Sequence, residues 1–543
     1  MLLVVLLLPV YFVYLGANTI WDANEAFYVE TPRHMVESGD YVTPVFNGQP
    51  RLNKPVLSYW IVAGLYNLFG VSVTVERLGI AIGAMGILLA TFLVGRALHS
   101  PLTGLLATII VASAPRMVMF SRRIFIDIWI TCFMALTLAC FVMALREPAR
   151  RRSWLLAMYA AIGLGVLTKG PVALFFPVVV AAIWMTMSGR WHEVRGAMIL
   201  PGILVVIAIV APWYVALYLQ HGWDPILTFF VGENLGRYTG EMPTEGRGLL
   251  FYVPVLLGDL FPWAPLVLVP LVTAWRSPVA PETNDAGQVR RILWIWIVTI
   301  TAVFSLSESK QDLYIFPVVP AVAALVAHTL LTRRSGAAGR AVTILLAVVG
   351  VLTAVAGLAA WWLFGSGYYA LEGTTLVAVA CVAGGLATAM AVTAGRREAA
   401  VVVLATTFVV FNYVFVARVL PSVERLKPAR PLAATILAQG GTTGRVGSYH
   451  LMFPSIVHYV GRPVDELADP AEARAFFAPD AAAWAIMSEA GLAELQATID
   501  GLCVVERRPL FEAKLSDLLS QRPPEDVLLV SNQCGVAAAW SIR

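Results

Sequence analysis

Long apolar runs alternate with short polar segments over most of the chain. A helix needs about 20 apolar residues to cross the hydrocarbon core of a bilayer, and on this measure the pattern predicts about thirteen spans. They are residues 2–16, 76–96, 101–115, 125–145, 154–168, 171–188, 198–218, 250–274, 291–307, 313–331, 341–363, 374–394 and 399–417. The sequence therefore predicts a polytopic α-helical membrane protein.

The polar segments between these runs form two alternating sets. Every segment of one set carries arginine, which is typical of cytoplasmic loops. These arginines are Arg96, Arg146, Arg150, Arg151, Arg152, Arg190, Arg195, Arg276, Arg290, Arg291, Arg333, Arg334, Arg340, Arg396 and Arg397. The opposite set is 17–75, 116–124, 169–170, 219–249, 308–312, 364–373 and everything after about residue 418. We therefore expect an odd number of spans, with the N-terminus inside and the C-terminal region outside.

The first outer loop, residues 17–75, contains two stretches that we expect to lie along the membrane surface. Residues 24–31 have apolar and aromatic positions suited to a short interfacial helix, and Pro32 is expected to limit its length. Residues 55–69 are apolar but short, which favours a second interfacial helix. A re-entrant or spanning segment is the alternative for this second stretch.

The pattern changes near residue 425. Short apolar runs then alternate with helix-like stretches, which predicts a small soluble α/β domain over residues 425–543 after a transmembrane domain over residues 1–424. Cys503 and Cys534 lie in this region, and they are able to pair if it faces an oxidising compartment. Residues 277–289 are polar and predict a cytoplasmic linker.

Composition supports a membrane protein and argues against a soluble globular protein and a nucleic-acid-binding protein. The chain is 59% hydrophobic and 13% charged, whereas soluble globular proteins contain about 25% charged residues. The net charge of +4 is small, and the arginines lie in short loops, so we expect no nucleic-acid partner. Residues 2–16 lack a charged segment before them and a small-residue cleavage motif after them, which favours a retained span over a signal peptide.

Charged and polar side chains collect in the outer loops and at the outer ends of the spans. Such charges are costly at a membrane, so they indicate function by default. The candidates are Asp22, Glu25, Arg51, Lys54, Arg122, Arg123, Asp127, Lys169, Glu233, Asn234, Arg237, Tyr238, Glu308, Lys310, Asp312 and Tyr314. If the topology is correct, they meet in one cavity at the outer leaflet.

This mixture of charges suits a reaction at a phosphate. Lysine and arginine neutralise the charge that develops on a phosphate leaving group, as on a lipid-phosphate sugar donor. A carboxylate within hydrogen-bond reach accepts the proton of an acceptor hydroxyl. Asp22, Glu25 and Asp127 are the candidates for this base. Attack opposite the phosphate would invert the anomeric centre.

The first-loop acids and Lys169 also have structural interpretations. Asp22 and Glu25 have the spacing of a helix capping box. Lys169 is placed to bind the carbonyls at a helix end. His34 has no ligand spacing with the other histidines, and a surface role is favoured over metal binding.

The residues around the fourth predicted span have similar alternatives. Arg122 and Arg123 fit interfacial anchors whose long side chains reach the headgroups. Arg123 and Asp127 have the i,i+4 spacing of a helical ion pair. Asp259 lies in the middle of an apolar run, and the sequence leaves open whether it is a buried structural acid or lines a cavity.

Several stretches in a fixed order carry a family resemblance over about the first 320 residues. They are NEAFYVETPRHMVESGDYVTPVFNGQPRLNKPVLSYW, RRIFIDIWITCF, GLGVLTKGP, APWY, FFVGENLGRY and SESKQDLYIFPVVPA. Together they resemble the phospholipid-carrier-dependent glycosyltransferases of the GT-C superfamily. This group includes the bacterial lipid A aminoarabinose transferases and, more distantly, the protein O-mannosyltransferases.

The resemblance implies a periplasmic cavity, an undecaprenyl-phosphate sugar donor and a periplasmic C-terminal α/β domain. Lys54 falls on the family's phosphate-contacting lysine, Arg237 on the basic residue after ENLG, and Asp127 on the second-loop aspartate. We assign Lys169 and Lys310 to the same phosphate. The remaining cavity residues are predicted to be Arg51, Arg123, Glu233, Asn234, Tyr238 and Tyr314.

Two positions depart from the family pattern. Asn24 and Asn53 stand where relatives usually carry acids. The acid at the second position has been associated with a bound metal in aminoarabinose transferases, so a divalent metal stays an open alternative. The catalytic carboxylate is then either Asp22, two places earlier, or Glu25 alone.

The leading hypothesis is an inverting glycosyltransferase of the bacterial inner membrane whose active site faces the periplasm. Its acceptor would be lipid A, another glycolipid, a polysaccharide or a protein. One alternative is a lipid-linked oligosaccharide ligase or polymerase. Another is a lipid-sugar flippase or transporter, which is disfavoured because the charges crowd one face instead of the bilayer midplane.

Overall fold

The computed structural model describes most of residues 2–534. The described ranges are 2–22, 25–123, 125–236, 247–276, 285–332, 336–439, 443–451, 453–478, 481–511 and 515–534. Helices dominate up to residue 438, and strands form a sheet after residue 444.

The described part of the chain contains eight helices that are long and apolar enough to cross a membrane. They are Val73–Leu98, Phe125–Arg146, Ile199–His221, Asp285–Leu306, Asp312–Leu331, Ala338–Gly365, Thr374–Thr393 and Arg397–Leu426. A ninth would be the pair Leu249–Asp259 and Ala264–Val272, which is bent by 115°. The polytopic membrane fold is therefore confirmed.

Each of the other predicted spans also corresponds to a helix. Leu2–Tyr11, Pro101–Ser113 and Val172–Ser188 are shorter apolar helices, and Arg151–Lys169 is a helix of 19 residues that begins with two arginines. Because these four are short or begin with charges, the count of about thirteen spans stays a prediction. Shorter helical elements connect the long ones: Pro115–Phe120, Pro148–Arg150, Trp191–Gly196, Asp224–Leu227 and Thr228–Gly236.

Small residues bring the membrane helices close together. A Cβ on Gly95 would lie 2.8 Å from the Cα of Gly104, so Val73–Leu98 and Pro101–Ser113 touch backbone to backbone. On the other side of Val73–Leu98, Gly83 packs against the ring of Trp129. This contact fixes the helix Phe125–Arg146, whose third residue is Asp127.

The first outer loop folds into two helices and a hairpin. The helices are Ala26–Ser38 and Leu57–Phe69. The hairpin pairs strands β1 (Val45–Phe46) and β2 (Gln49–Pro50) antiparallel. Its turn is Asn47-Gly48, with φ of 53° and 75°, and this dipeptide favours such tight hairpin turns.

The expectation that Pro32 limits the first helix is wrong. Pro32 lies inside Ala26–Ser38, and the helix ends at Gly39, whose φ is 74°. A proline inside a helix costs about 3 kcal/mol. Burial of Phe27, Val29 and Met35 on this helix offsets that cost.

The last 100 described residues contain a five-stranded mixed sheet. Its strands are β3 (Arg445–Tyr449), β4 (Asp465–Leu467), β5 (Ala483–Ser488), β6 (Cys503–Pro509) and β7 (Asp526–Ser531). Their order is β4-β3-β5-β7-β6. The β3–β4 and β3–β5 pairs are parallel, and the pairs with β7 are antiparallel.

Helices surround this sheet, and alternate residues of β5 enter two separate apolar cores. The helices are Ala429–Ala438, Ser455–Val460, Pro470–Phe477, Glu489–Gln496 and Leu515–Ser520. Cys503 and Cys534 form a disulfide, with their Cα atoms 5.6 Å apart. The division into domains at residue 425 stays a prediction.

Candidate functional site

A cavity of about 660 Å³ opens where several helix ends converge. Its polar lining residues are Arg51, Lys54, Asp127, Lys169, Glu233, Ser307, Ser309, Gln311 and Tyr314. Its aromatic lining residues are Phe27, Tyr28, Phe125, Phe175, Phe176, Phe230, Phe304 and Tyr314. The cavity thus combines paired charges with a large apolar wall.

Asp127 and Lys169 form an ion pair in this cavity. Asp127 lies at the start of Phe125–Arg146. Lys169 is the last residue of Arg151–Lys169, which packs against that helix. The Lys169 ammonium also lies 5.0 Å from the ring centroid of Tyr314. The predicted i,i+4 partner of Asp127, Arg123, is not its partner in this structure.

Lys54 and Glu233 form the second ion pair of the cavity, with Nζ and Oε2 2.9 Å apart. Lys54 follows the first-loop hairpin, and Glu233 lies in the π-helical stretch Thr228–Gly236. Both side chains are mostly buried. The two lysines predicted to bind phosphate are therefore each beside a carboxylate.

Arg51 supplies a third cation to the cavity. Its guanidinium carbon lies 3.6 Å from the ring centroid of Phe27, which is a cation–π contact. Its Nε is buried and donates no hydrogen bond to any described residue. A buried donor without an acceptor is costly, so a bound anion or water would stabilise it.

Asp22 lies outside the lining of the cavity. Its carboxylate accepts hydrogen bonds from the backbone N–H and the hydroxyl of Ser455, both at 2.6 Å. Burial raises the pKa of Asp22 above its ordinary value, against the opposing effect of these hydrogen bonds. Asp22 therefore contacts the C-terminal part of the chain and makes no capping bond to its own helix.

Glu25 is fully buried and also lies outside the cavity lining. It accepts hydrogen bonds from the Arg77 guanidinium at 2.6 and 3.0 Å and from the N–H of Trp21 at 2.7 Å. Arg77 also donates to the carbonyls of Leu15, Asn18 and Thr19. This pair fixes the path of the chain from the first helix into the first loop.

Arg77 is not among the residues predicted from the sequence motifs. The sequence does contain a signal for it, because Glu76 and Arg77 lie side by side at the start of an apolar span. Charged side chains at this place need a partner. Both side chains are buried, and the two Glu76 carboxylate oxygens make no hydrogen bond within the described residues.

Other predicted site residues lie beside the cavity without lining it. The ammonium of Lys310 donates to the carbonyl of Ser307 at 2.6 Å, although its neighbours Ser309 and Gln311 do line the cavity. The guanidinium of Arg123 lies 4.9 Å from the ring centroid of Trp21, and burial lowers its pKa.

Arg122 turns into the protein, where it donates to the carbonyls of Val10 and Val13. Burial lowers its pKa to about 10. Asp259 is fully buried and faces the Arg116 guanidinium at 2.7 Å, which agrees with the structural alternative for this acid. Arg237, Tyr238 and the side chain of Asn234 lie outside the described residues.

The residues at the position associated with metal do not fit a divalent cation. Asn53 offers a neutral amide oxygen where relatives carry an acid, and that oxygen is buried without a hydrogen-bond donor. In the described part of the chain, no three histidine, cysteine, aspartate or glutamate side chains converge on one point. We therefore assign no step to a metal.

Comparison with known proteins supports the resemblance to glycosyltransferases that the sequence motifs indicate. The family model described as dolichyl-phosphate-mannose-protein mannosyltransferase matches residues 1–224. The structure superposes on the crystal structure of ArnT from Cupriavidus metallidurans bound to undecaprenyl phosphate with a TM-score of 0.78 and 22% identity, covering 98% of each chain. The chain is similar in sequence and in fold to the GT-C glycosyltransferases. The resemblance seen in the sequence is thereby confirmed.

The curated relatives that this chain resembles match it over part of their length. The undecaprenyl phosphate-alpha-4-amino-4-deoxy-L-arabinose arabinosyl transferase of Pseudomonas aeruginosa (strain UCBPP-PA14) is 32% identical over 327 residues, which cover 60% of this chain and 58% of that protein. The undecaprenyl phosphate-alpha-4-amino-4-deoxy-L-arabinose arabinosyl transferase 2 of Pseudomonas fluorescens (strain Pf0-1) is 29% identical over 66% of this chain and 63% of its own length. The chain thus matches less than two thirds of either relative.

Proposed function

We propose that this GT-C protein transfers a sugar from a polyprenyl phosphate to an acceptor, with inversion at the anomeric carbon. The observation that carries the proposal is the convergence of Lys54, Lys169 and Asp127 on one cavity. The names of its relatives, which include undecaprenyl phosphate, support the donor class.

The two ion pairs give the proposed reaction its order. A donor phosphate competes with Glu233 for Lys54 and with Asp127 for Lys169, because both lysines are the cations it needs. When Lys169 turns to the phosphate, Asp127 loses its ion pair and becomes a better proton acceptor. Asp127 then takes the proton of the acceptor hydroxyl as the sugar leaves the phosphate.

Asp127 is our first choice for the base because it alone of the three candidate acids lines the cavity. Asp22 and Glu25 remain predictions for the same role. In the proposed assignment they position the first loop, through Ser455 and Arg77 respectively. Arg51 and Tyr314 would contact the donor, and the aromatic wall would contact its first isoprene units.

We propose that the cavity and the C-terminal region face the periplasm, in a bacterial inner membrane. The arginines in the opposite set of loops support this orientation. The disulfide between Cys503 and Cys534 also supports it, since disulfides persist in oxidising compartments. The proposed acceptor is a glycolipid such as lipid A, with a polysaccharide or protein as further candidates.

The test uses the full-length protein in lipid nanodiscs with undecaprenyl-phosphate-linked sugars, including 4-amino-4-deoxy-L-arabinose and neutral hexoses. We expect release of undecaprenyl phosphate and a product of inverted configuration. The same sugars on a nucleotide should give no product. If proteoliposomes move the lipid-linked sugar across the bilayer and no new glycosidic bond forms, the protein is a transporter and the proposal is wrong. Turnover of oligosaccharide donors alone would indicate a ligase.

A further inference from the structure

A second cavity, of about 330 Å³, lies between the first-loop hairpin and the C-terminal sheet. Ser448, at the carboxyl end of β3, and Glu466, in β4, line one side of it. Phe46 and Asn47 of the hairpin line the opposite side. Cavities that bind small molecules span roughly 300–1,000 Å³, so this one suits a single small group.

The position of this cavity in the sheet is where open α/β sheets bind ligands. β3 pairs in parallel with β4 on one side and β5 on the other. The chain therefore leaves β3 towards β4 and then crosses back to β5. Ligands of such sheets bind outside the carboxyl ends of the strands, and this cavity lies at the carboxyl ends of β3 and β4, next to the reversal between β3 and β5.

The backbone beside the cavity has an unusual conformation. His450, two residues after Ser448, has a φ of 50°, which is uncommon for a residue other than glycine. Its Nε2 hydrogen-bonds the carbonyl of Ala468 at 2.7 Å. Residues in this region of φ cluster at binding sites, where the surrounding structure keeps them in place.

The chemistry of the lining selects an uncharged, hydroxyl-bearing ligand. Ser448, which is buried, and Glu466, which is exposed, both line the cavity and offer a hydroxyl and a carboxylate to ligand hydroxyls. The rings of Phe46 and Phe453 offer apolar faces. Among the described lining residues none is lysine or arginine, which disfavours a phosphate.

The hairpin connects this cavity to the first one. The Phe46 ring contacts the Phe27 ring edge-on, with centroids 4.7 Å apart, and Arg51 stacks on Phe27. Phe27 and Arg51 both line the large cavity. Asn47 fixes the hairpin to the sheet by accepting from the N–H of Val464 at 2.7 Å and donating to its carbonyl at 2.8 Å.

We propose that this second cavity binds one neutral sugar residue. That this sugar belongs to the acceptor rests on the proposed function, whereas the binding itself does not. An occupied cavity would set the position of Phe46, and through Phe27 the position of Arg51 at the donor cavity.

The experiment measures binding without donor or turnover, so its outcome is independent of transfer activity. Saturation-transfer NMR on the full-length protein in nanodiscs would use the methyl glycosides of glucose, galactose, mannose and N-acetylglucosamine. We expect at least one to bind, and Ser448→Ala or Glu466→Gln to weaken that binding at least about tenfold. The first removes a hydrogen bond to the ligand, and the second replaces a charged acceptor with a weaker neutral one.

Glu489→Gln, on a surface ion pair with Arg507, is the matched control and should bind like wild type. Thermal unfolding of each variant checks that it is folded. Absence of binding by all four glycosides would overturn the proposal. Equal binding by wild type and both cavity variants, or displacement of the sugar by inorganic phosphate, would overturn it as well.

Discussion

The carboxylate of Asp127 and the ammonium of Lys169 form an ion pair between the start of one membrane helix and the end of the next. Both side chains are mostly buried, at 12% and 19% exposure, yet both line the large cavity. A charge pair in this position satisfies both groups when no substrate is bound. A bound anion is able to compete with the carboxylate for the ammonium and so to separate the pair. In the proposed reaction, separation of this pair links donor binding to the appearance of a base.

Asp127→Asn should abolish sugar transfer while leaving the protein folded. General bases contribute roughly 10²- to 10⁴-fold to rate, so we expect a loss of that order in single-turnover measurements. Asp22→Asn is the matched comparison, because Asp22 lies outside the cavity and bonds to Ser455. Equal losses in the two variants would show that Asp127 has no special role.

Lys54→Ala should weaken binding of the sugar donor and leave binding of the acceptor largely unaffected. A hydrogen bond to a charged group contributes about 1.5–3 kcal/mol, which corresponds to a rise in donor KM of about 10- to 100-fold. Arg507→Gln, on the surface of the sheet, serves as the control. If acceptor KM rises and donor KM does not, Lys54 is excluded from the phosphate site.

Arg77→Met should destabilise the protein by about 3–5 kcal/mol, because it leaves Glu25 as an unpaired buried charge. Thermal unfolding in detergent would show this as a lower Tm. Glu25→Gln retains hydrogen-bonding capacity and should lower Tm less. A Glu25→Gln protein with wild-type Tm and no transfer activity would favour Glu25 as the catalytic base over a positioning role.

Lys427 should make stability rise with pH in a defined window. Burial lowers the pKa of Lys427 from 10.5 to about 8, against the opposing effect of Glu25 and Glu424. Between these two values the unfolded chain binds a proton that the folded protein does not, so stability increases as pH rises from about 8 towards 10.5. Below pH 8 both states are protonated and this dependence disappears.

The measurement compares Tm of wild type and Lys427→Met across that pH range. The Tm of wild type minus the Tm of Lys427→Met should increase as pH rises from about 8 towards 10.5, because only wild type gains stability from the deprotonation of Lys427. The contact of the Lys427 side chain with Trp21, whose ring centroid lies 4.0 Å from Nζ, is absent in the variant and offsets the two curves. Parallel curves would contradict the lowered pKa.

The membrane helices and part of the cavity were predictable because their signals are local. Apolar length predicted Val73–Leu98 and Phe125–Arg146 to within a few residues. The motifs around Lys54, Asp127 and Lys169 predicted residues that do share a cavity. The broken pair Leu249–Asp259 and Ala264–Val272 was predicted as one span, because hydropathy does not record a bend.

The roles of Asp22 and Glu25 were beyond sequence reasoning because their partners are distant in the chain. Ser455 lies 433 residues after Asp22, and Arg77 lies 52 residues after Glu25. Nothing in the local pattern distinguishes a loop carboxylate that faces a cavity from one that faces a serine N–H. At Pro32 a local signal predicted the end of a helix, but the helix continues because burial of the neighbouring apolar residues stabilises it.

The 433-residue separation of Asp22 from Ser455 has a consequence for biosynthesis. A ribosome adds about 5–20 residues per second, so roughly 20 to 90 seconds pass between synthesis of the first loop and synthesis of the segment that binds it. Glu30 and Asn47 also have partners in this late segment: Glu30 contacts His458, and Asn47 bonds to Val464. The membrane helices are therefore synthesised before the first loop has its partners, and the fold of that loop is completed only after residues 455–464 emerge from the ribosome.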